Sequence, residues 1–149
     1  IDFEGNLEKG YLKIKRIWNH NDEIDICYPM ETRLVRSNPK VRENAGKVAI
    51  QRGPVIYCIE EIDNGKNLHN IVVPHDIKFN EELLNGVVVV TAKVYRIKEW
   101  SDDESYCSIE NRYMETEMKA IPYFAWNNRG IGEMMVWLRE EICLGACQK

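Results

Sequence analysis

The sequence predicts an all-β domain, an antiparallel, jelly-roll-like β-sandwich. Three observations predict it. Apolar residues recur with period two, not 3.6. Clusters of Asn, Asp, Gly and Pro cut the chain into seven or eight short strands. No amphipathic stretch of helical spacing reaches about 12 residues.

Taken in order, Tyr11 to Ile17 reads as a half-buried strand, with Leu12 and Ile14 on one face and Lys13 and Lys15 on the other. Trp18 to Asp22 is a tight turn, because Asn and Asp tolerate left-handed backbone. It leads into a second strand, Glu23 to Met30, where Ile24, Ile26, Tyr28 and Met30 share a face. A third run, Thr32 to Arg36, stops at Ser37-Asn38-Pro39. Lys47 to Gln51 and Val55 to Glu60 are strands joined by Arg52-Gly53-Pro54, where a bend or bulge is expected. The middle, from Glu61, is more polar, and Asn80 to Gly86 reads as one or two helical turns capped by Asn80 and stopped by Gly86. Val87 to Ile97 is the longest strand, and Ser101 to Ser105 an acidic loop. Ile121 to Trp126 and Glu133 to Arg139 are the last strands, separated by a turn from Asn127 to Gly132. The second has apolar residues on both faces, so it should be covered on both sides.

Composition narrows function. The chain has 149 residues, 44% hydrophobic and 30% charged, which suits one globular domain. A net charge of −4 argues against nucleic acid or an anionic membrane as partner. The longest wholly apolar run is Val87 to Val90, too short for a helical membrane span. The chain opens on Ile1 without methionine or signal peptide, which we read as a piece of a longer protein. The five cysteines, Cys27, Cys58, Cys107, Cys143 and Cys147, lack the two close pairs of a zinc site. Cys27 and Cys58, inside apolar strand-like runs, are expected to be small buried thiols in a reducing, cytoplasmic setting, with one disulfide left open.

Paired carboxylates stand at Glu60-Glu61, Glu81-Glu82, Asp102-Asp103-Glu104 and Glu140-Glu141. A glycosidase places two carboxyls about 5–10 Å apart, usually on different elements. Adjacent carboxylates are instead expected to be solvated surface. His20, His69 and His75 form no metal-binding spacing, and no nucleotide or nucleophile motif is present. The aromatic cluster Tyr123, Phe124 and Trp126, with Asn127, Asn128 and Arg129, allows two readings. Aromatic faces beside amide and guanidinium groups suit a sugar ring. The preferred reading packs Tyr123 and Phe124 on opposite faces of a strand.

Three stretches carry a resemblance: Gly10 to Trp18 followed by Asp22, Gly46 to Glu60, and Ile121 to Gly130 running on to Met135-Val136-Trp137. They are similar to the C-terminal part of glycoside hydrolase family 127, from about Gly10 to Leu138, with a looser match over the polar segment 61–112. The resemblance implies retaining β-L-arabinofuranosidase-like parents acting on plant-derived sugars. It implies a cysteine nucleophile beside zinc in an N-terminal (α/α)₆ barrel. The C-terminal β-sandwich modules then pack on the barrel and help subunits associate. That barrel is absent here, so no catalytic or metal residue is carried over. The whole of 1–149 is expected to be one sandwich region, incomplete at its N-terminal side. It should be non-catalytic, free of cofactor, and partnered by the missing barrel and by a second copy. Tyr123, Trp126, Asn128 and Arg129 are the candidate contacts to sugar or to a neighbouring domain. Asn21 stands where the family tends to have glycine, and asparagine keeps the turn.

Overall fold

The computed structural model describes residues 6–98, 106 and 113–141. The acidic loop 101–105 and Cys107, Cys143 and Cys147 lie outside the described residues. Strands follow one another almost without helix: β1 (Asn6–Glu8), β2 (Tyr11–Lys13), β3 (Thr32–Val35), β4 (Lys47–Arg52), β5 (Val55–Glu60), β6 (Ile71–Val73), β7 (Phe79–Leu84), β8 (Val87–Ile97), β9 (Tyr113–Pro122), β10 (Met134–Met135) and β11 (Leu138–Glu140). One helical turn, α1 (Glu61–Asn64), follows β5 and ends at Gly65, whose φ is +75°. β1 and β2 form a separate hairpin, and the other nine strands share one sheet system.

That system is sandwich-like and curls on itself. β5 pairs with β9, β9 with β8, β8 with β6, β6 with β11, β11 with β4, and β4 returns to β5. All these pairings are antiparallel except β6–β11. Arg52 pairs with Val55 across Gly53-Pro54, so the expected bend is a two-residue turn with Gly53 at φ +53°. Beyond this turn β4 pairs with β11 while β5 pairs with β9 and β10, so the hairpin bridges two layers.

The interior follows the period-two rule. Val48, Ile50, Tyr57, Ile59, Ile71, Val73, Val90, Ala92, Val94, Met118, Ala120 and Leu138 point into one core. Tyr57 keeps its hydroxyl satisfied by donating to the Val88 carbonyl at 2.9 Å. Cys58, Val89 and Ile121 face the opposite way and would be solvent-exposed without a cover. The segment after β9 supplies it, through Ala125, Met134 and Val136. Met134 and Val136 serve this outer cluster whereas Met135 and Leu138 serve the core. The strict alternation read for Glu133 to Arg139 therefore slips between 136 and 138, where the strand is interrupted.

Several expectations are corrected. Asn80 to Gly86 is not helical. Residues 79–84 form β7, paired with β8 from Phe79–Ala92 to Leu84–Val87. Asn85 and Gly86, at φ +50° and +83°, make the intervening two-residue turn, so this Gly closes a hairpin and stops no helix. Tyr11 to Ile17 is a strand only over Tyr11–Lys13, and Glu23 to Met30 forms no strand. Among the described residues Tyr11–Lys13 pairs with β1 alone and Glu23 to Met30 pairs with no strand, and neither apolar face is covered. Ile121 to Trp126 gives way after Pro122 to a 3₁₀ turn, Tyr123–Ala125.

Paired carboxylates are not all free surface either. Glu81 on β7 accepts from Thr32 Oγ1 on β3 at 2.6 Å and from Arg52 Nε on β4 at 2.9 Å. Glu140 on β11 is bound by Arg36, which follows β3. In each pair the strand alternation turns the first carboxylate toward an arginine. The hydrogen bond from Thr32 holds the Glu81 carboxyl below its ordinary value, helped by Arg52.

Ile59 is fully buried, so Ile59→Ala should destabilise the fold by about 2–5 kcal/mol, read as a lower urea midpoint with an unchanged slope. A carboxyl that titrates lower when folded contributes stability above its unfolded value and loses it as pH falls through the folded one. Glu81→Gln should therefore lower stability at neutral pH and narrow the gap to wild type as the solution is acidified below about pH 4, measured by melting temperature.

Candidate functional site

The sequence candidates Tyr123, Trp126, Asn128 and Arg129 come together on the segment that covers the outer face of β5 and β9. Glu60 lies at the end of β5, on the same face as Cys58, and is 5% exposed. It is the sole buried charged residue among the described residues. A buried carboxylate needs a cation and hydrogen bonds. Arg129 supplies the first, donating to Glu60 and in a forked pair to Asp63 of α1. The Asn127 amide supplies another bond, donating to Glu60 Oε1 at 3.1 Å from a residue at φ +63°.

Lys119 Nζ of β9 completes the cluster, 3.1 Å from Asp63 Oδ1. Burial raises the Asp63 carboxyl, but hydrogen bonds and charges of Arg129 and Lys119 outweigh it and hold it below its ordinary value. The bonds to Asp63 and Glu60 in turn raise the Arg129 guanidinium. The Asn64 side chain donates to the carbonyls of Glu60 and Lys119, each at 2.9 Å, and so ties α1 to both strands. Glu61 accepts from the Glu133 amide at 3.0 Å, and Glu133 from the Leu68 amide at 2.9 Å. A cleft of about 240 Å³ opens between α1 and Gly130–Gly132. The acidic side chains lining it, Glu60, Glu61 and Glu133, all hold protein partners.

The aromatic part is arranged differently from the packed strand expected. Tyr123 and Trp126 stack with ring centroids 6.0 Å apart and planes 24° apart. They are 46% and 40% exposed, and Phe124 is 70% exposed. Asn128 donates to the Ala125 carbonyl at 3.1 Å and so fixes the turn beneath them. The result is an aromatic shelf on a polar clasp. Glu60, expected from sequence to be solvated surface as half of a carboxylate pair, is instead buried. Asp63, Asn64 and Lys119 were not singled out as site residues, since β5, α1 and β9 meet here only in the folded chain.

Cys58 lies buried on the outer face of β5. Burial first, and then the charge of Glu60, pushes its thiol up to about 11. Among the described residues no three His, Cys, Asp or Glu side chains converge on a metal position. The donor set required by the zinc implied by the sequence resemblance is therefore not found among the described residues.

Comparison with known proteins fixes the family. Residues 32–139 match the glycoside hydrolase family 127 C-terminal domain. The chain belongs to that family. It corresponds to the C-terminal domain of glycoside hydrolases of that family. It is similar to the non-reducing end β-L-arabinofuranosidase of Bifidobacterium longum, 34% identical over 147 residues that cover 91% of this chain and 22% of the relative. A crystal structure of a family 127 β-L-arabinofuranosidase from Geobacillus stearothermophilus is 49% identical, covers 76% of this chain and 19% of that one, and superposes with a TM-score of 0.71. Another family 127 β-arabinofuranosidase structure is 33% identical, covers 94% of this chain and 22% of that one, and has a TM-score of 0.67. The chain thus spans about a fifth of the length of the relatives it matches.

Removing the clasp should be costly. Arg129→Met leaves Glu60 buried without its cation, so a loss of roughly 1–3 kcal/mol is expected in denaturant unfolding. Asp63→Asn should flatten the acid limb of the stability profile. The wild-type contribution of Asp63 is complete above the unfolded value near pH 4 and disappears as pH falls through the lower folded value.

Proposed function

We propose that this domain supports the catalytic part of a retaining β-L-arabinofuranosidase-like hydrolase, with the chemistry carried by a helical barrel elsewhere in the polypeptide. The observation that carries this reading is the coverage. The family model matched is that of the C-terminal domain, and the relatives are about five times longer and have names that state arabinofuranosidase activity. The site agrees, since Glu60 and Asp63 are bound to Arg129 and stand as no free acid or base. Zinc, when the parent holds it, would be bound outside these residues. The single β region assigned to 1–149 is on this reading an attached support, and its polar stretch 61–112 contributes α1 and β6 to β8.

The aromatic shelf of Tyr123 and Trp126, underpinned by Asn128 and Arg129, is the proposed contact to the catalytic part of the chain. The Arg129 guanidinium is engaged by Glu60 and Asp63, which leaves the aromatic faces without it to meet a sugar. A homo-oligomer is the accompanying proposal, to be read by light scattering. We further place the protein in the cytoplasm. Cys58 is buried as expected, whereas Cys27 is exposed because no described element covers residues 23–30, and both are free thiols, which suits a reducing compartment. Among the described residues no helix is long and apolar enough to cross a membrane.

The purified chain should show no turnover of an aryl β-L-arabinofuranoside, and robust hydrolysis lost on chelation would overturn the support role. Calorimetric titration with arabinose oligosaccharides should give no heat at millimolar sugar. Heat that disappears in Trp126→Ala would instead make the shelf a carbohydrate-binding site.

A further inference from the structure

The residues before Thr32 behave unlike the rest of the chain. Leu7, Ile17, Ile24, Ile26 and Tyr28 are 77, 88, 52, 66 and 62% exposed. No residue from 7 to 31 is buried, and residues 14–31 form no strand. The segment is nonetheless locally built. Asp22 N donates to the Asn19 carbonyl at 3.2 Å, and Asn19 N to Asp22 Oδ2 at 2.8 Å, around Asn21 at φ +71°. Arg16 lies 5.1 Å from the Trp18 ring centroid and 3.1 Å from Asp22. Its exit is pinned too. Gly53 N donates to the Glu31 carbonyl at 3.2 Å, and a Cβ at 53 would overlap Met30 Sδ. From Ile24 to Met30 every second side chain is apolar. That is one face of a strand, and a strand with one apolar face is stable only with neighbours and a cover.

We infer that residues 7–30 form an apolar strap that completes a β-sheet of the upstream part of the same polypeptide, and that this domain proper starts at Thr32. The occupant is argued from the comparisons. The matched domain begins at residue 32. Two relatives nevertheless align with 91% and 94% of this chain, more than residues 32–149 supply, so the likeness continues into the strap. Those same relatives carry several times more polypeptide than this chain. The strap therefore has its covering surface upstream, and the Met30–Gly53 contact fixes the direction in which it leaves the sandwich. This inference rests on the reading of the chain as part of a longer enzyme.

Hydrogen–deuterium exchange on the 149-residue chain and on the full-length product of its gene tests it. In the short chain, amides 23–30 should exchange near the rate of unstructured peptide while those of β8 and β9 stay protected. In the full-length protein amides 23–30 should slow by roughly 100-fold or more. Ile26→Ser should leave the melting temperature of the short chain unchanged and lower that of the full-length protein. Equal exchange in both proteins, protection in the dilute short chain, or a gene that encodes nothing upstream would overturn the inference. Protection that grows with concentration would assign the strap to a second copy instead, and overturn it as well. No activity is read, so a failure here leaves the support role to be judged by its own assay.

Discussion

A carboxylate placed under a covering segment dictates what can lie above it. Glu60 ends β5 on the outer face of the sandwich, beneath the segment that shields Cys58, Val89 and Ile121. Unpaired, it would oppose folding by several kcal/mol. The turn from Asn127 to Arg129 answers it with one guanidinium and one backbone amide. From this follow the left-handed Asn127, the docking of α1 through Asp63, and the outward placement of Tyr123 and Trp126. The polar groups that look available for a ligand in the sequence are consumed in holding the cover down.

The same logic recurs at smaller scale. Arg52–Glu81 and Arg36–Glu140 join elements from different parts of the chain, and each uses the first member of an adjacent carboxylate pair. Such ties contribute modestly to stability where they are exposed. Their geometric effect is larger. Glu81 links β7 to β3 and β4. Among the described residues β7 and β3 each pair with one strand, and the link limits how far those two edges can offer themselves to other chains. The bulk of the stability comes from the apolar interior shared by β4, β5, β6, β8, β9 and β11.

A domain of this kind has two sorts of surface. One is finished, with apolar residues inside and ion pairs at the rim. The other is unfinished, and it includes the aromatic shelf and the residues before Thr32. Exposed large apolar residues in such concentration mark contact surfaces. They give structural meaning to membership in a family whose matched relatives are several times longer.

The strands with strong internal signals were legible in the sequence. Lys47–Arg52, Val55–Glu60 and Val87–Ile97 form nearly where alternation and turn residues put them, and Asn21 turns left-handed as its type allows. Local chemistry suffices there, because burial period and turn geometry are properties of consecutive residues. The sequence also carried the family likeness that the comparisons bear out. Tertiary structure alone decided the rest. Asn80 to Leu84 is a strand because β8 lies beside it, and Glu23 to Met30 is none because nothing described does. Arg129 is a structural cation because Glu60 and Asp63, more than sixty residues earlier, are folded against it. A hydrogen-bond partner or a counter-charge distant in sequence leaves no local pattern, so no reading of neighbouring residues could have found it.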